Sequence, residues 1–505
     1  MIKRLKKNTL LIIILIIIFA LIVRLFAFTT ITTGGSQDDY WFLTLAKNIL
    51  DNKAFELTEG NPYDLSQPLH PFLIGIFSFF IGNFFLSAIL ISILFSIALL
   101  IATYVFWKKI ENKDIAILSV IFVGFSALVI KYSVAIRADI IYTFLLIVSL
   151  FFIYKVKDHD KFLPIASVFI VLAALTRWEG YLLIPVGLIS FIIWNRKDIF
   201  TKEGLRFSVF KKDYFIMALL IIFIPLFLWS WRSSNCCGSW IPSYSYQKQL
   251  SGNSGGAGLS FLSNMPNFIP WYLLTLLAIG LIYSFKKYKR YFPIYIYLGL
   301  ESIIHIKFRG RSDQILYTLP LLYGFFSLLI IDIKNKVRKR TRLFFFLILS
   351  GFIIFSMISG SINGYNDSKK WGTRNDVLKE SMDWLNENSN PNEKIIVGDV
   401  LVYSYFTDKE LISFGIANQM VQNIMVQNKI NDIKLGYSIL MWDQKISYLV
   451  AYDSTMPWFY ESTTKNFAEE FKPHKYNLGP AIVELTPLKK FEVNEQEVII
   501  YKLEY

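Results

Sequence analysis

Two adjacent carboxylates, Asp38 and Asp39, stand in Ser36-Gln-Asp-Asp-Tyr-Trp41 and open a helix-like stretch to Leu50. Such a pair can act as general base on an acceptor hydroxyl or bind a divalent cation. Helix capping is the plainer reading, because a first turn favours Asp through the helix dipole. Further along, an arginine and a carboxylate recur two residues apart, in Arg137-Ala-Asp139 and in Arg177-Trp-Glu179. A guanidinium suits phosphate, because its planar fork gives paired, charge-assisted hydrogen bonds. Structural ion pairs, or snorkelling to a membrane interface, would explain either motif taken alone. Arg232, and the trio Lys307, Arg309 and Arg311, supply cations at two more places. His70, in Gln67-Pro-Leu-His-Pro71, can titrate, bind metal or simply hydrogen-bond at an interface, and Arg24 either faces a ligand or snorkels.

The elements that must position these residues are membrane helices. Of the 505 residues, 54% are hydrophobic, and the mean hydropathy is +0.44; soluble chains sit nearer roughly 45–50% apolar. The excess is clustered in runs such as Thr9–Phe28, Phe84–Trp107, Ile115–Ile130 and Ile140–Tyr154. These are long enough, or nearly so, to cross a hydrocarbon core of about 30 Å. The first run follows Lys3, Arg4, Lys6 and Lys7 and lacks a clear small-x-small cleavage site, so it reads as a retained helix rather than a signal peptide.

The formal charge of +14 does not point to nucleic acid. Lysine and arginine fall in short clusters between apolar runs, the positive-inside pattern, and form no basic stripe interleaved with aromatics for bases to stack on. Only two cysteines occur, the adjacent Cys236 and Cys237, which give no disulfide framework. They are two free thiols or a strained vicinal disulfide.

The clusters Lys108/Lys109/Lys113, Lys155/Lys157/Lys161, Arg196–Lys212, Lys286–Arg290 and Lys334–Arg342 are assigned to the cytoplasm together with the N-terminus. Helices alternating between them give a polytopic α-helical membrane protein of about 11 crossings, N-terminus in and C-terminus out. Phe72–Ile81 is too short to cross and reads as re-entrant or surface-lying. The predicted organisation is a transmembrane domain over 1–358, with a first outer loop at about 29–83, and an extracytoplasmic α/β domain over 359–505. In that tail, Asn375–Asn388 reads as helix, and Lys394–Val397, Tyr448–Tyr452, Ala481–Leu485 and Val498–Leu503 read as strands. On this topology the acid pair, both Arg-x-acid motifs, Arg232 and the Lys307–Arg311 trio all fall on the outer side.

The arrangement resembles the C-type superfamily of membrane glycosyltransferases, most of all the protein O-mannosyltransferases and the aminoarabinose lipid A transferases. Asp38-Asp39 with Tyr40…Ala46-Lys47-Asn48 resembles their first-loop acidic segment, and Gln67-Pro-Leu-His-Pro71 their Pro-Pro-Leu-Tyr-Pro element with one proline missing. Arg137-Ala-Asp139 is similar to their Arg-Pro-Asp/Glu turn, and Thr176-Arg-Trp-Glu-Gly180 to their Thr-Arg-Pro-Glu-Gly turn. Gly238-Ser-Trp-Ile-Pro-Ser-Tyr244 looks like their Gly-x-x-x-Pro-x-x-Tyr outer loop, the tyrosine one residue early, and Ile315–Leu322 like their late proline-containing helix. The resemblance implies a polyprenyl-phosphate-linked sugar as donor and an acceptor hydroxyl on protein, lipid or glycan. It implies Asp38 as the base, assisted by Asp39, and inversion at the anomeric carbon. His70, Arg137, Asp139, Arg177, Glu179, Arg232, Tyr244, Arg309 and Arg311 are then the substrate-binding candidates. Whether a divalent cation assists stays open.

Two other classes compete. A lipid-linked sugar transporter or flippase predicts repeat symmetry and charges near mid-membrane, and a receptor or assembly factor leaves the arginine–carboxylate motifs without a role. The heavy use of Ile, Lys and Asn suggests a prokaryotic plasma membrane. Neither the sugar nor the acceptor is readable.

Overall fold

In the computed structural model, residues 2–34, 37–51, 55–58, 61–62, 66–201, 204–205, 213–237, 240, 265, 269–304, 314–337, 339–373, 375–397, 406–407, 409, 411–413, 440, 444–452, 474–477, 482–493 and 496–504 are described. They divide into two compact units, Met1–Thr30 with Leu45–Lys369, and Ile31–Thr44 with Lys370–Tyr505.

The first unit is helical. Among the described residues, six of its helices are long and apolar enough to cross a membrane, or seven if the bent pair Lys113–Gly124 and Ala127–Ser133 counts as one span. Burial sorts them. The windows in Asp139–Val156 and Ile315–Lys336 are 72% and 78% buried, against 17% in Asp213–Cys236 and 6% in Leu347–Lys370. Inner helices are therefore covered by other helices. The outer ones show water-averse faces, with Leu11, Phe19, Phe223, Leu347 and Ile358 all exposed. Apolar surface on that scale does not stay exposed in a soluble monomer, whereas lipid is its natural solvent. The chain is a multi-pass membrane protein.

Short-range signals set the joints. Helix Leu69–Ile81 is 13 residues long and stops at Gly82, whose left-handed φ of 76° lets its N–H reach Ser78 O. A side chain there would be strained. Asn83 then caps Phe84–Ile110, accepting from Leu86 N at 2.9 Å, and Asn112 caps Lys113–Gly124 by accepting from Asp114 N and Ile115 N.

The expected single span over about 115–133 is instead broken, its halves meeting at 63°. Arg24 explains how the break is held. It is fully buried, and its Nη1 donates to Ala20 O at 2.9 Å and Gly124 O at 3.1 Å while Nε donates to Ser96 Oγ at 2.8 Å. A carbonyl at a helix end needs such a donor. Arg24 thus neither snorkels nor faces a ligand through these bonds.

Four of the predicted lysine clusters gather at one end of the bundle, and most of the fifth, Arg196–Lys212, lies outside the described residues. Lys109 pairs with Asp158 at 2.7 Å, Lys287 and Arg290 with Glu111 at 3.5 and 3.2 Å, and Lys334 with Asp114 at 3.9 Å. Tyr291 Oη also donates to Glu111.

The second unit is α/β. Among the described residues, its sheet has six strands in the order 411–413, 394–397, 446–452, 496–504, 482–493, 474–477. The first three run parallel and the last four are joined antiparallel. The strand at 394–397 coincides with its predicted span, and Ile395, Ile396 and Val397 are buried. Helix Asp376–Asn388 packs Val377, Leu378, Met382 and Leu385 inward, a spacing that puts one stripe on the sheet.

Candidate active site

Both Arg-x-acid motifs of the helical unit meet where several helices begin. Asp139 is the first residue of Asp139–Val156. Arg177 is extended, with φ −148° and ψ 146°, and leads into the 3-10 turn Trp178–Leu182 that carries Glu179. That turn lies tight under the preceding helix. A Cβ on Gly180 would sit 2.3 Å from Ala173 C and Ala174 N, so only glycine fits. Leu69 N donates to Leu175 O at 2.9 Å, which seats the start of Leu69–Ile81, with His70, beside the same turn. Gln314 and Tyr317 enter from the start of Ile315–Lys336.

The contacts form one buried network. Arg137 Nε lies 3.2 Å from Asp139 Oδ2, and Arg177 Nη1 lies 3.3 Å from Asp139 Oδ1. Arg177 also grips Glu179 in parallel, Nε to Oε2 and Nη2 to Oε1, both at 3.2 Å. Gln314 Nε2 donates to Glu179 Oε1 at 3.1 Å, and Tyr317 Oη donates to Asp139 Oδ1 at 2.7 Å. Rings frame the cations, with Arg177 5.2 Å from the centre of Tyr317 and Arg137 5.6 Å from that of Tyr132. Tyr142 stands edge-on to Tyr317 at 4.8 Å and shares a 3.1 Å hydrogen bond with Tyr297. Asp139, Glu179, Arg137 and His70 are all buried.

The electrostatics follow from burial. Desolvation works against the Arg177 charge, but Asp139 and Glu179 outweigh it and hold the guanidinium well above its ordinary value. Burial pushes the His70 imidazole down to about 3, although Asp139 pulls the other way. His70 is therefore neutral at physiological pH. Three helix N-termini and two arginines converge here; Asp139 and Glu179 balance the two guanidinium charges, so the pull on a further negative group comes from the helix N-termini.

This site lies at the opposite end of the bundle from the lysine clusters. Helix Asp139–Val156 carries Asp139 at its start and Lys155 in its last turn. Helix Ile315–Lys336 has Tyr317 in its first turn and Lys334 and Lys336 in its last.

The acid pair belongs to the second unit. Asp38 and Asp39 occupy the first turn of helix Gln37–Asp51, as the sequence predicts. Asp39 is fully buried, while Asp38 is partly exposed. Arg232 Nη2 donates to Phe55 O at 2.8 Å, and its guanidinium lies 5.0 Å from the ring centres of both Phe55 and Trp229. Tyr244, Arg309 and Arg311, with Lys307, lie outside the described residues. Among the described residues, no group of three or more His, Cys, Asp or Glu side chains is arranged to hold a metal ion.

Residues 62–229 match the family described as "Dolichyl-phosphate-mannose-protein mannosyltransferase". No curated protein matches the sequence as a whole. Among solved structures, ArnT from Cupriavidus metallidurans bound to undecaprenyl phosphate is similar at a TM-score of 0.63 and 11% identity, over 97% of both chains. The archaeal oligosaccharyltransferase AglB from Archaeoglobus fulgidus, in complex with an inhibitory peptide and a dolichol-phosphate, is similar at 0.59 and 11% identity, over 98% of this chain and 76% of that one. The apo form of the Archaeoglobus fulgidus oligosaccharyltransferase is similar at 0.56 and 11%, over 88% and 69%. The chain has the fold of the C-type superfamily of membrane glycosyltransferases.

Within this C-type fold, sequence reasoning missed Gln314, Tyr317, Tyr142, Tyr297 and the buried Glu301. Glu301 did leave a signal. It is a lone carboxylate in the largely apolar stretch of Tyr288–Ile304, and such a charge marks function or a partner. The tyrosines left none, since aromatics are common throughout the chain.

Proposed function

We propose that this protein is an inverting glycosyltransferase that moves a sugar from a polyprenyl-phosphate-linked donor to a hydroxyl acceptor on the outer face of the membrane. The observation that carries this reading is the meeting of Arg137 and Arg177 with three helix N-termini, at the end of the bundle remote from the lysine clusters. Lysine-rich ends face the cytoplasm, which turns the arginine site outward. Nucleotide sugars are not expected there, so an activated sugar has to arrive attached to a lipid carrier. The ArnT structure with undecaprenyl phosphate and the AglB structure with dolichol-phosphate support a donor of this chemistry.

Asp38 takes the proton of the acceptor hydroxyl. The oxygen attacks the anomeric carbon, and the bond from that carbon to the phosphate oxygen breaks. The electron pair leaves with the lipid phosphate. Arg137 and Arg177 stabilise the charge that develops there, a help worth most in a dry site. Asp39, buried in the same helical turn, assists. Asp139 and Glu179 hold the cations in place, and His70, Arg232, Tyr244, Arg309 and Arg311 complete the set of substrate-binding candidates. The transferred sugar is a hexose or pentose, the acceptor a protein, lipid or glycan of the cell envelope. Eleven crossings, N-terminus in and the α/β unit outside the plasma membrane, require the helices at 163–174, 183–194, 271–284 and 288–304 to cross in addition to the seven spans.

The test supplies purified protein with polyprenyl-phosphate sugars and follows sugar transfer and released lipid phosphate. Asp38→Asn should lower turnover by roughly 10²–10⁴-fold, with Asp39→Asn less severe. Turnover unchanged from wild type in both single variants and the double variant would remove the base assignment. Movement of intact donor across the membrane without cleavage would make the protein a transporter.

A further inference from the structure

The acid pair is carried on a segment that the C-terminal unit holds in a latch. Asp376, first residue of helix Asp376–Asn388, accepts through Oδ1 from Thr32 Oγ1 at 2.7 Å and from Thr33 Oγ1 at 2.9 Å. Gly372 O accepts from Thr33 N at 2.7 Å and from Thr32 N at 3.2 Å. Asn375 Nδ2 donates to Gly34 O. Three consecutive residues of the early chain, Thr32, Thr33 and Gly34, are thus fixed by three residues of the late chain, Gly372, Asn375 and Asp376.

The latch connects directly to the carboxylates. Gly34 N donates to Tyr40 Oη at 3.1 Å. A Cβ on Gly34 would lie 3.0 Å from Asp39 Cβ and 3.1 Å from the Tyr40 ring, so the backbone of residue 34 is packed against the acid-bearing turn. Tyr40, fully buried, meets Phe406 edge-on at 5.6 Å.

The geometry points to Asp376 as a positioning residue for the reaction. It anchors Thr32 and Thr33, which set Gly34, which in turn sets Asp39, Tyr40 and the first turn that bears Asp38. The C-terminal unit is then part of the catalytic machinery, holding the base in register although it contributes no reacting group. This inference rests on the proposed role of Asp38.

The experiment compares full-length wild type, Asp376→Ala, Asp376→Asn, a Thr32→Val/Thr33→Val double variant and Asp38→Asn, all reconstituted in lipid nanodiscs. Steady-state transfer from a polyprenyl-phosphate sugar gives kcat and donor KM, and hydrogen exchange follows the amides of 33–44. Misplacing a catalytic group by about 1 Å costs on the order of 10²-fold, so Asp376→Ala should lose ~10–100-fold in kcat. Donor KM should stay within about twofold, because the arginine site lies in the other unit; exchange over 33–44 should rise about tenfold or more. Asp376→Asn keeps an accepting oxygen and should restore turnover to within about twofold, and the valine pair should behave as Asp376→Ala does. Unchanged kcat and exchange in Asp376→Ala, while Asp38→Asn abolishes transfer, would overturn the latch and leave the base assignment standing. Faster exchange in Asp376→Ala, with Asp38→Asn fully active, would overturn the catalytic reading and with it the positioning role. Equal losses in Asp376→Ala and Asp376→Asn would show a fold requirement rather than positioning.

Discussion

Arg177 finds Glu179 two residues away and Asp139 38 residues away, both within the helical unit. Thr32 and Thr33 find Asp376 across 344 and 343 positions, in the unit that carries the acid pair. The first assembly consists of full charges under cover, where each partner's removal strands another. The second consists of hydroxyls, backbone carbonyls and one carboxylate, part-exposed at its edges, where each bond is individually modest. On the proposed function, the arginine end has to be rigid and charged before the donor arrives. An acid that takes up a proton needs its place fixed but must stay reachable. The two regions therefore differ in the strength of what holds them, and that difference can be measured.

The largest effect should come from Arg177. Arg177→Ala leaves Asp139 and Glu179 with their shared guanidinium gone, and breaking a buried pair in this way costs about 3–5 kcal/mol. A drop in thermal midpoint in detergent, together with loss of donor binding, is expected. Arg177→Lys should recover only part of both, since one ammonium cannot reproduce the parallel grip on Glu179 while reaching Asp139. If Arg177→Ala unfolds no more easily than Asp376→Ala, the contrast between the two regions is wrong.

A finer cut is Tyr317→Phe. It removes one donor at 2.7 Å from Asp139 Oδ1 and keeps the ring under Arg177. A hydrogen bond to a charged acceptor is worth about 1.5–3 kcal/mol, so stability should fall by that amount with no change in helix content. Loss of donor affinity at unchanged stability would instead make Tyr317 a ligand contact.

How far these regions were legible in the sequence follows from the same contrast. Arg137 with Asp139 and Arg177 with Glu179 announce themselves, because residues two apart across a helix start are neighbours whatever the fold does. Asp38 and Asp39 at the opening of a helix, the strand at 394–397 and the helix at 376–388 are likewise local patterns. The joining of the two Arg-x-acid motifs through Asp139 and Arg177 was readable only as a shared side of the membrane. Gln314 and Tyr317 carry no local mark. Their roles exist only once Ile315–Lys336 has packed with its start beside the 176–179 turn. Asp376 reads as an ordinary first-turn acid, favoured by the helix dipole, and nothing near it in sequence betrays Thr32 and Thr33. The bend after Gly124 was missed for a related reason: hydropathy runs straight through it, and the arginine that satisfies the freed carbonyl comes from another helix.

The smallest effect, and the one that tests how dry the arginine end is, belongs to His70. Its folded pKa is pushed down to about 3, below an unfolded value of 6.5. As pH falls below 6.5, the unfolded chain takes up a proton that the folded chain refuses, so stability is lost on the acid side and is complete above it. The loss grows by about 1.4 kcal/mol per pH unit between the two values. His70→Gln keeps a neutral polar side chain and removes that slope. The difference in stability between wild type and His70→Gln, followed by thermal unfolding from pH 7.5 to 4.5, should be flat above about pH 6.5 and shift toward the variant below it. Other carboxylates titrate in the same range, but they are common to both proteins and cancel in the difference. A pH-independent difference would mean that water reaches His70, and a wet arginine end would remove the low-dielectric setting on which the proposed stabilisation of a leaving phosphate depends.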